Sequence, residues 1–154
     1  MSSEPSLHPT AGKLRDRLRE HGLEVTVQTL PASTRTAPEA AAAVGCEVGQ
    51  IVKSLVFMRD GQPVMVLCAG DRRVAADRLG LRAASAEEAR AGTGFAIGGI
   101  PPLGHDRPLE TLIDGSLRRF DTVWCAAGTP HAVFEAATDA LIAAIPGGAV
   151  ADVA

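Results

Sequence analysis

Residues 51–58 (IVKSLVFM) and 63–68 (PVMVLC) are two apolar, β-branched runs joined by Arg59-Asp60-Gly61-Gln62. Asp-Gly between such runs is the signal of a two-residue type I′ turn, because both central positions take positive φ. The chain is therefore built on an antiparallel hairpin. Single helices and strands surround it in mixed order. Leu14 and Leu18 stand four apart in a charged stretch over 13–21, a short amphipathic helix that Gly22 ends. Residues 24–28 alternate as a half-buried strand. Thr36, Pro38, a run of alanines and Gly45 mark a capped helix, with Thr36 as its N-cap.

Beyond the hairpin, 74–80 reads as a short helix. Ser85-Ala86-Glu87-Glu88 is a capping box opening a helix that ends near Gly92, and a Gly-rich loop occupies 98–104. Residues 109–113, 121–126 and 131–136 read as strands, 114–119 as a helical turn, and Thr138 as the cap of a last helix over 139–145. Nothing repeats and no linker interrupts the order. The expected fold is α+β, one domain over 13–154, a mixed and mostly antiparallel β-sheet flanked by helices, preceded by a flexible tail over 1–12.

Read with period two, the first hairpin strand puts Ile51, Lys53, Leu55 and Phe57 on one face and Val52, Ser54, Val56 and Met58 on the other. Both faces are apolar, so the strand is expected to be central and covered on both sides. Lys53 is conspicuous there. The chain has 15 basic residues against 18 acidic ones, and 13 of the 15 are Arg; Lys13 lies among charges, Lys53 among apolar residues. A desolvated ammonium loses its proton, finds an anion or lines a wet cavity. The alternative is a lysine that snorkels from a strand end. Ser54 beside it reads either as a satisfied core hydroxyl or as part of a site.

Two further places can carry chemistry. One is Gly94-Phe95-Ala96-Ile97-Gly98-Gly99-Ile100-Pro101-Pro102-Leu103-Gly104-His105, where glycines permit close backbone approach and the Pro pair stiffens the loop. Its N–H groups could grip a carbonyl or an oxyanion, or the stretch is simply a turn. Its spacing is neither a dinucleotide fingerprint nor a Walker sequence. The other is Gly128-Thr129-Pro130-His131, whose His could bind a substrate, shuttle a proton or be incidental. His8 falls in the expected tail and His21 at a helix end. No His pair has the spacing of a helical metal site, and no local Ser-His-Asp or Cys-His signature is present.

Cys46, Cys68 and Cys125 lie 22 and 57 residues apart, an odd set without metal or redox spacing that suits reduced thiols. MSSEPSLHPT lacks the basic and apolar regions of a secretory signal, and no apolar run approaches the roughly 20 residues that span a bilayer, so a cytoplasmic location without membrane contact is expected. A formal charge of −3 argues against wrapping a long nucleic-acid backbone, DNA included, but leaves room for gripping one strand end.

The helix over 36–45, the strand Ile51-Val52-Lys53-Ser54-Leu55-Val56-Phe57, the Asp60-Gly61 turn and the loop Gly98-Gly99-Ile100-Pro101-Pro102-Leu103-Gly104 together resemble the YbaK/ProX family of aminoacyl-tRNA deacylases. The same domain occurs as the editing insertion of bacterial prolyl-tRNA synthetases. The resemblance covers roughly residues 20–150, and the family's G-x-x-x-P loop falls on Gly98 and Pro102. It implies a pocket between the lysine strand and that loop. It also implies hydrolysis, in trans, of the ester of a small mischarged amino acid (Cys, Ala, Ser or Thr) on tRNA, most often tRNA-Pro.

Lys53 would be the essential lysine. Ser54, Gly98, Gly99, Ile100, Pro101, Pro102, Gly104, Gly128, Thr129 and His131 would contact substrate. No cofactor or metal is implied. The partners would be the aminoacyl-tRNA acceptor end and prolyl-tRNA synthetase. Two other readings stand beside it: a non-catalytic module that binds tRNA or a synthetase, and an enzyme in which Lys53 forms a Schiff base with a carbonyl substrate.

Overall fold

The structure is a computed structural model, described over residues 7–31, 34 and 36–154. The hairpin forms as its sequence dictates. β2 (Val52–Arg59) pairs antiparallel with β3 (Gln62–Ala69) in unbroken register from Val52↔Ala69 to Arg59↔Gln62. Asp60 and Gly61 have φ of 51° and 76°, the positive pair of a type I′ turn.

Before the hairpin lie helix α1 (Pro9–Glu20), strand β1 (Val27–Thr29) and helix α2 (Ala37–Val44); after it come α3 (Ala76–Leu79), β4 (Arg82–Ala83) and α4 (Ala86–Thr93). The remaining elements are β5 (Glu110–Asp114), β6 (Thr122–Ala126), β7 (Ala132–Ala137), α5 (Thr138–Ala144) and β8 (Gly148–Ala151), with 3-10 turns at Val48–Gln50 and Gly115–Arg119. Among the described residues the strands form a five-stranded sheet in the order β4-β2-β3-β5-β8 and a three-stranded sheet in the order β1-β7-β6. Antiparallel ladders predominate, with β3/β5 and β5/β8 parallel. The α+β fold of helices around mixed sheets is as expected. Its strands divide into two sheets whose backbones, among the described residues, are bridged once, in parallel, at Ile51↔Trp124.

The main core lies on the Val52/Val56 face of β2, with Met65, Leu67 and Ala69 of β3, Phe134 of β7, and Leu14 and Leu18 of α1. Burying each such side chain contributes on the order of 1.5–3 kcal/mol. The opposite face of the hairpin packs Val64, Val66 and Cys68 against Leu81 and Val153, with Leu55 and Phe57 half-buried beside them. Ala37, Ala40 and Ala41 of α2 cover Ile51.

Several boundaries differ from the sequence reading. α1 begins at Pro9, four residues early, because the His8 ring accepts from Thr10 N at 3.1 Å and Pro9 suits the first helical position. Residues 9–12, read as tail, are thus its first turn; residues 1–6 lie outside the described residues. Thr138 is not a cap. It is the first residue of α5, and its hydroxyl donates to Phe120 O at 2.6 Å. β4 and β8 carried no period-two pattern long enough to read.

The largest difference concerns β2. Both its faces are covered, as expected, yet it is not paired along both edges. β4 meets it only at Phe57 and Met58, and β6 only through the bridge at Ile51. Around Ser54, between that bridge and the contact with Ala84 at Val56, one edge of the strand is open. Apolar side chains report what covers the faces of a strand, not what lies beside it.

Candidate active site

A cavity of about 490 Å³ lies against that open edge. Val52, Lys53, Ser54, Leu55, Val56 and Phe57 form one wall. The others are Thr34, Thr36 and the Ala37/Ala40/Val44 face of α2, Ala83 and Ala84, Ile97, Gly98 and Ile100, and Trp124 to Ala126 of β6. The lining is largely apolar, with many alanines. Among the described residues its polar side chains are Thr34, Thr36, Lys53 and Ser54.

The Lys53 ammonium donates to the carbonyl oxygen of Arg72 in the loop after β3. Among the described residues no carboxylate lies within ion-pair distance of it. The strand-bound lysine thus borders the cavity and rests on a backbone carbonyl. That carbonyl is fixed from behind. Arg72 Nε lies 3.7 Å from Asp114 Oδ2, and the Asp114 carboxylate, 1% exposed, accepts from Ala69 N at 3.1 Å and Ser116 N at 2.9 Å. Cys68, directly opposite Lys53 in the ladder, has its thiol pushed up to about 11, chiefly by burial; the Lys53 charge pulls it back and Asp114 pushes it further up. It stays a thiol at neutral pH. Ser54 Oγ is buried and has no hydrogen-bond partner among the described residues.

The glycine loop bounds the cavity with Gly98 and Ile100. Gly99 faces away, against the 128–131 turn: Gly128 N donates to Gly99 O at 2.9 Å, and a Cβ on residue 99 would sit 2.7 Å from the backbone of Thr129. Only glycine allows that approach. Pro101, Pro102 and Gly104 are buried outside the cavity lining and stiffen the loop from behind. The Pro101 carbonyl lies 2.7 Å from His105 Nε2, and Arg17 of α1 donates to Gly104 O at 2.9 Å while pairing with Asp106 at 2.8 Å. Burial lowers the His105 pKa, so the ring is neutral and serves as a brace.

Gly128, Thr129 and His131 do not line the cavity either. Their turn ties the site together: the Pro130 carbonyl accepts from Thr34 N at 2.8 Å and Thr34 Oγ1 at 2.7 Å, and the His131 carbonyl accepts from Leu30 N at 2.7 Å. The His131 side chain is exposed. Of the residues singled out in the sequence, Lys53, Ser54, Gly98 and Ile100 thus meet at one cavity, and the rest shape its loop from behind. Sequence reasoning missed Thr34, Trp124 and the alanine walls, and did not single out Ile97 within its loop. Trp124, the sole Trp of the chain, was the one available signal. Among the described residues no group of His, Cys, Asp and Glu is placed to hold a metal ion, and no helix is long and apolar enough to cross a membrane.

Residues 31–144 match the family model of the aminoacyl-tRNA editing domain. The chain belongs to that family. It is also similar to a crystal structure of a candidate trans-editing enzyme for prolyl-tRNA synthetase, with 47% identity and a TM-score of 0.88 over 96% of this chain and 98% of the other. A scaffold protein used for computational grafting of linear epitopes is 42% identical with a TM-score of 0.89, again over 96% and 98% of the two chains. The uncharacterized protein YwhH of Bacillus subtilis (strain 168) is 31% identical over 129 residues, 79% of this chain and 82% of that protein. The resemblance read from the lysine strand and the Gly-Pro loop is thereby established for the family and the fold.

Proposed function

We propose that this editing domain is a free-standing deacylase that hydrolyses the ester of a small mischarged amino acid on tRNA, with tRNA-Pro as the carrier. The observation that carries the reading is the cavity itself. It is apolar, it holds about 490 Å³, and a lysine, a buried hydroxyl and a glycine loop converge on it. An aminoacyl ester is already activated, so orientation and stabilisation of a developing oxyanion suffice without a covalent nucleophile. No nucleophile–base pair is needed for such chemistry.

Lys53 is assigned the role of holding the acyl end. Its ammonium has three donors, of which Arg72 O takes one, leaving two for a substrate carbonyl or the terminal phosphate. Gly98 and Ile100 frame the opposite side. Alanine walls set the size of the acyl side chain, and one methylene is worth only about 1–3 kcal/mol of discrimination. Such a site is permissive among Cys, Ala, Ser and Thr. The link to prolyl-tRNA synthetase is supported by the 47% identical structural neighbour.

The test is a deacylation screen with Cys-, Ala-, Ser- and Thr-charged tRNA-Pro. At least one should be hydrolysed, and Lys53→Ala should abolish the activity. Full activity in that variant overturns the role of Lys53. Binding of every charged tRNA without turnover overturns the deacylase in favour of a binding module.

A further inference from the structure

The open edge of β2 presents backbone groups as well as side chains. In an antiparallel ladder successive residues direct their N–H and C=O alternately to the two neighbouring strands. Ile51 O accepts from Gly70 N at 2.8 Å on the β3 side. With the β2–β3 register unbroken, Lys53, Leu55 and Phe57 also bond to β3, and Val52, Ser54 and Val56 turn theirs the other way. The Val56 carbonyl, which accepts from Ala84 N at 3.2 Å on the β4 side, fixes the same phase. Ser54 lies between the bridge to β6 and the pairing with β4, so its N–H and C=O both face the cavity. Among the described residues neither has a partner. A peptide couple that faces a cavity and no neighbouring strand is free for a ligand to pair with.

We propose that the aminoacyl group of the substrate pairs with Ser54 as a single residue of an added strand. Its α-ammonium donates to the Ser54 carbonyl, and its ester carbonyl accepts from the Ser54 N–H. This rests on the deacylase reading above. A hydrogen-bonded pair in an antiparallel ladder exchanges two bonds between the N and C=O of one residue and those of another. An aminoacyl ester carries that N and that C=O on one residue and no more of a chain.

Opposed residues place their side chains on the same face of a sheet. An L-aminoacyl group therefore sends its side chain to the Val52/Ser54/Val56 face, where the unpartnered Ser54 hydroxyl lies, and away from the Lys53 face. In the reaction, a water oxygen bonds to the ester carbonyl carbon, and negative charge develops on the oxygen held by the Ser54 N–H. The bond to the ribose oxygen then breaks, that oxygen keeps one proton of the water, and the other proton leaves to solvent with the amino acid as carboxylate.

The clean test replaces the Ser54 N–H by an ester oxygen, with lactic acid incorporated at position 54 and Ser54→Ala as its reference. Ser54→Pro is a simpler companion, because an N–H outside the ladder is one that Pro can replace. Each protein is checked for a native thermal transition. Loss of one oxyanion donor should lower kcat by about 100- to 1,000-fold relative to the reference. A folded lactic-acid variant within threefold of Ser54→Ala overturns the pairing.

A second arm does not depend on turnover. The wild-type chain is titrated with a 3′-amide analogue of an aminoacyl-adenosine, and the Ser54 amide is followed by 1H–15N NMR. A downfield shift of that amide on saturation supports the pairing. Binding that leaves it unmoved, or no binding, overturns it. Failure of the deacylase reading is separate: wild-type protein would hydrolyse no charged tRNA, whatever the Ser54 amide does.

Discussion

A methyl group added at Gly99 tests whether the glycine loop is held by contact with the 128–131 turn. The Cβ of Gly99→Ala would lie 2.7 Å from both Cα and N of Thr129 and 2.8 Å from the carbonyl carbon of Gly128. All three are backbone atoms, so no side chain can swing aside. The φ of Gly99 is not positive, and the whole effect is therefore steric. Either the loop or the turn must retreat by several tenths of an ångström, which strains the Gly128 N to Gly99 O bond of 2.9 Å. Overpacking of this kind costs about 1–3 kcal/mol. At 2–4 °C per kcal/mol for a domain of this size, Tm should fall by roughly 2–12 °C.

Gly12→Ala is the matched control. Gly12 lies inside α1 with nothing within 4 Å of its added Cβ, and the same methyl should raise stability by about 0.5–1 kcal/mol through helix propensity. Differential scanning calorimetry on both variants reads the two signs. Because Gly98 and Ile100 flank Gly99 at the cavity, deacylation should also fall in Gly99→Ala and hold in Gly12→Ala. A Gly99→Ala protein with unchanged Tm and turnover would refute the clamp.

Asp114→Ala should be among the most damaging substitutions, costing about 3–5 kcal/mol in a urea titration, since it strands the Ala69 and Ser116 N–H groups and leaves Arg72 without its buried partner. Burial holds the His105 pKa below its ordinary value, so the unfolded chain binds the proton more readily. Stability from this residue is present above pH about 6.5 and is lost as pH falls through that value toward the lower folded pKa; His105→Gln should flatten the segment in pH-dependent melts. Ile97, 58% exposed at the cavity mouth, has little to contribute to folding. Ile97→Ser should leave Tm within about 1–2 °C, a change of under 0.5 kcal/mol, and raise KM in the deacylation assay.

Local rules were enough for much of the fold. The Asp60-Gly61 turn, the Thr36 and Ser85 caps and the left-handed Gly45 are decided by neighbours a few residues away, and each is found as read. The family was legible for a related reason: Lys53 in an apolar strand and the Gly98–Gly104 loop are costly choices that a chain makes only where something requires them. The cap assigned to Thr138 failed because a tertiary acceptor, Phe120 O, claimed its hydroxyl. The tail failed at residues 9–12 because the Leu14/Leu18 stripe marks the buried middle of α1 and carries no signal for its start.

What only the tertiary structure decided is the site. Period two placed Lys53 and Ser54 on opposite faces of β2, but side-chain pattern is silent about strand edges, which are set by where other segments end. β6 bridges this stretch only at Ile51, just before β2, and β4 pairs with β2 only at Phe57 and Met58, so the edge around Ser54 is open and a cavity lies against it. That spacing arises from contacts between residues more than 20 apart in the chain, which no local pattern encodes. It turns a strand that reads as a core element into one wall of a binding site.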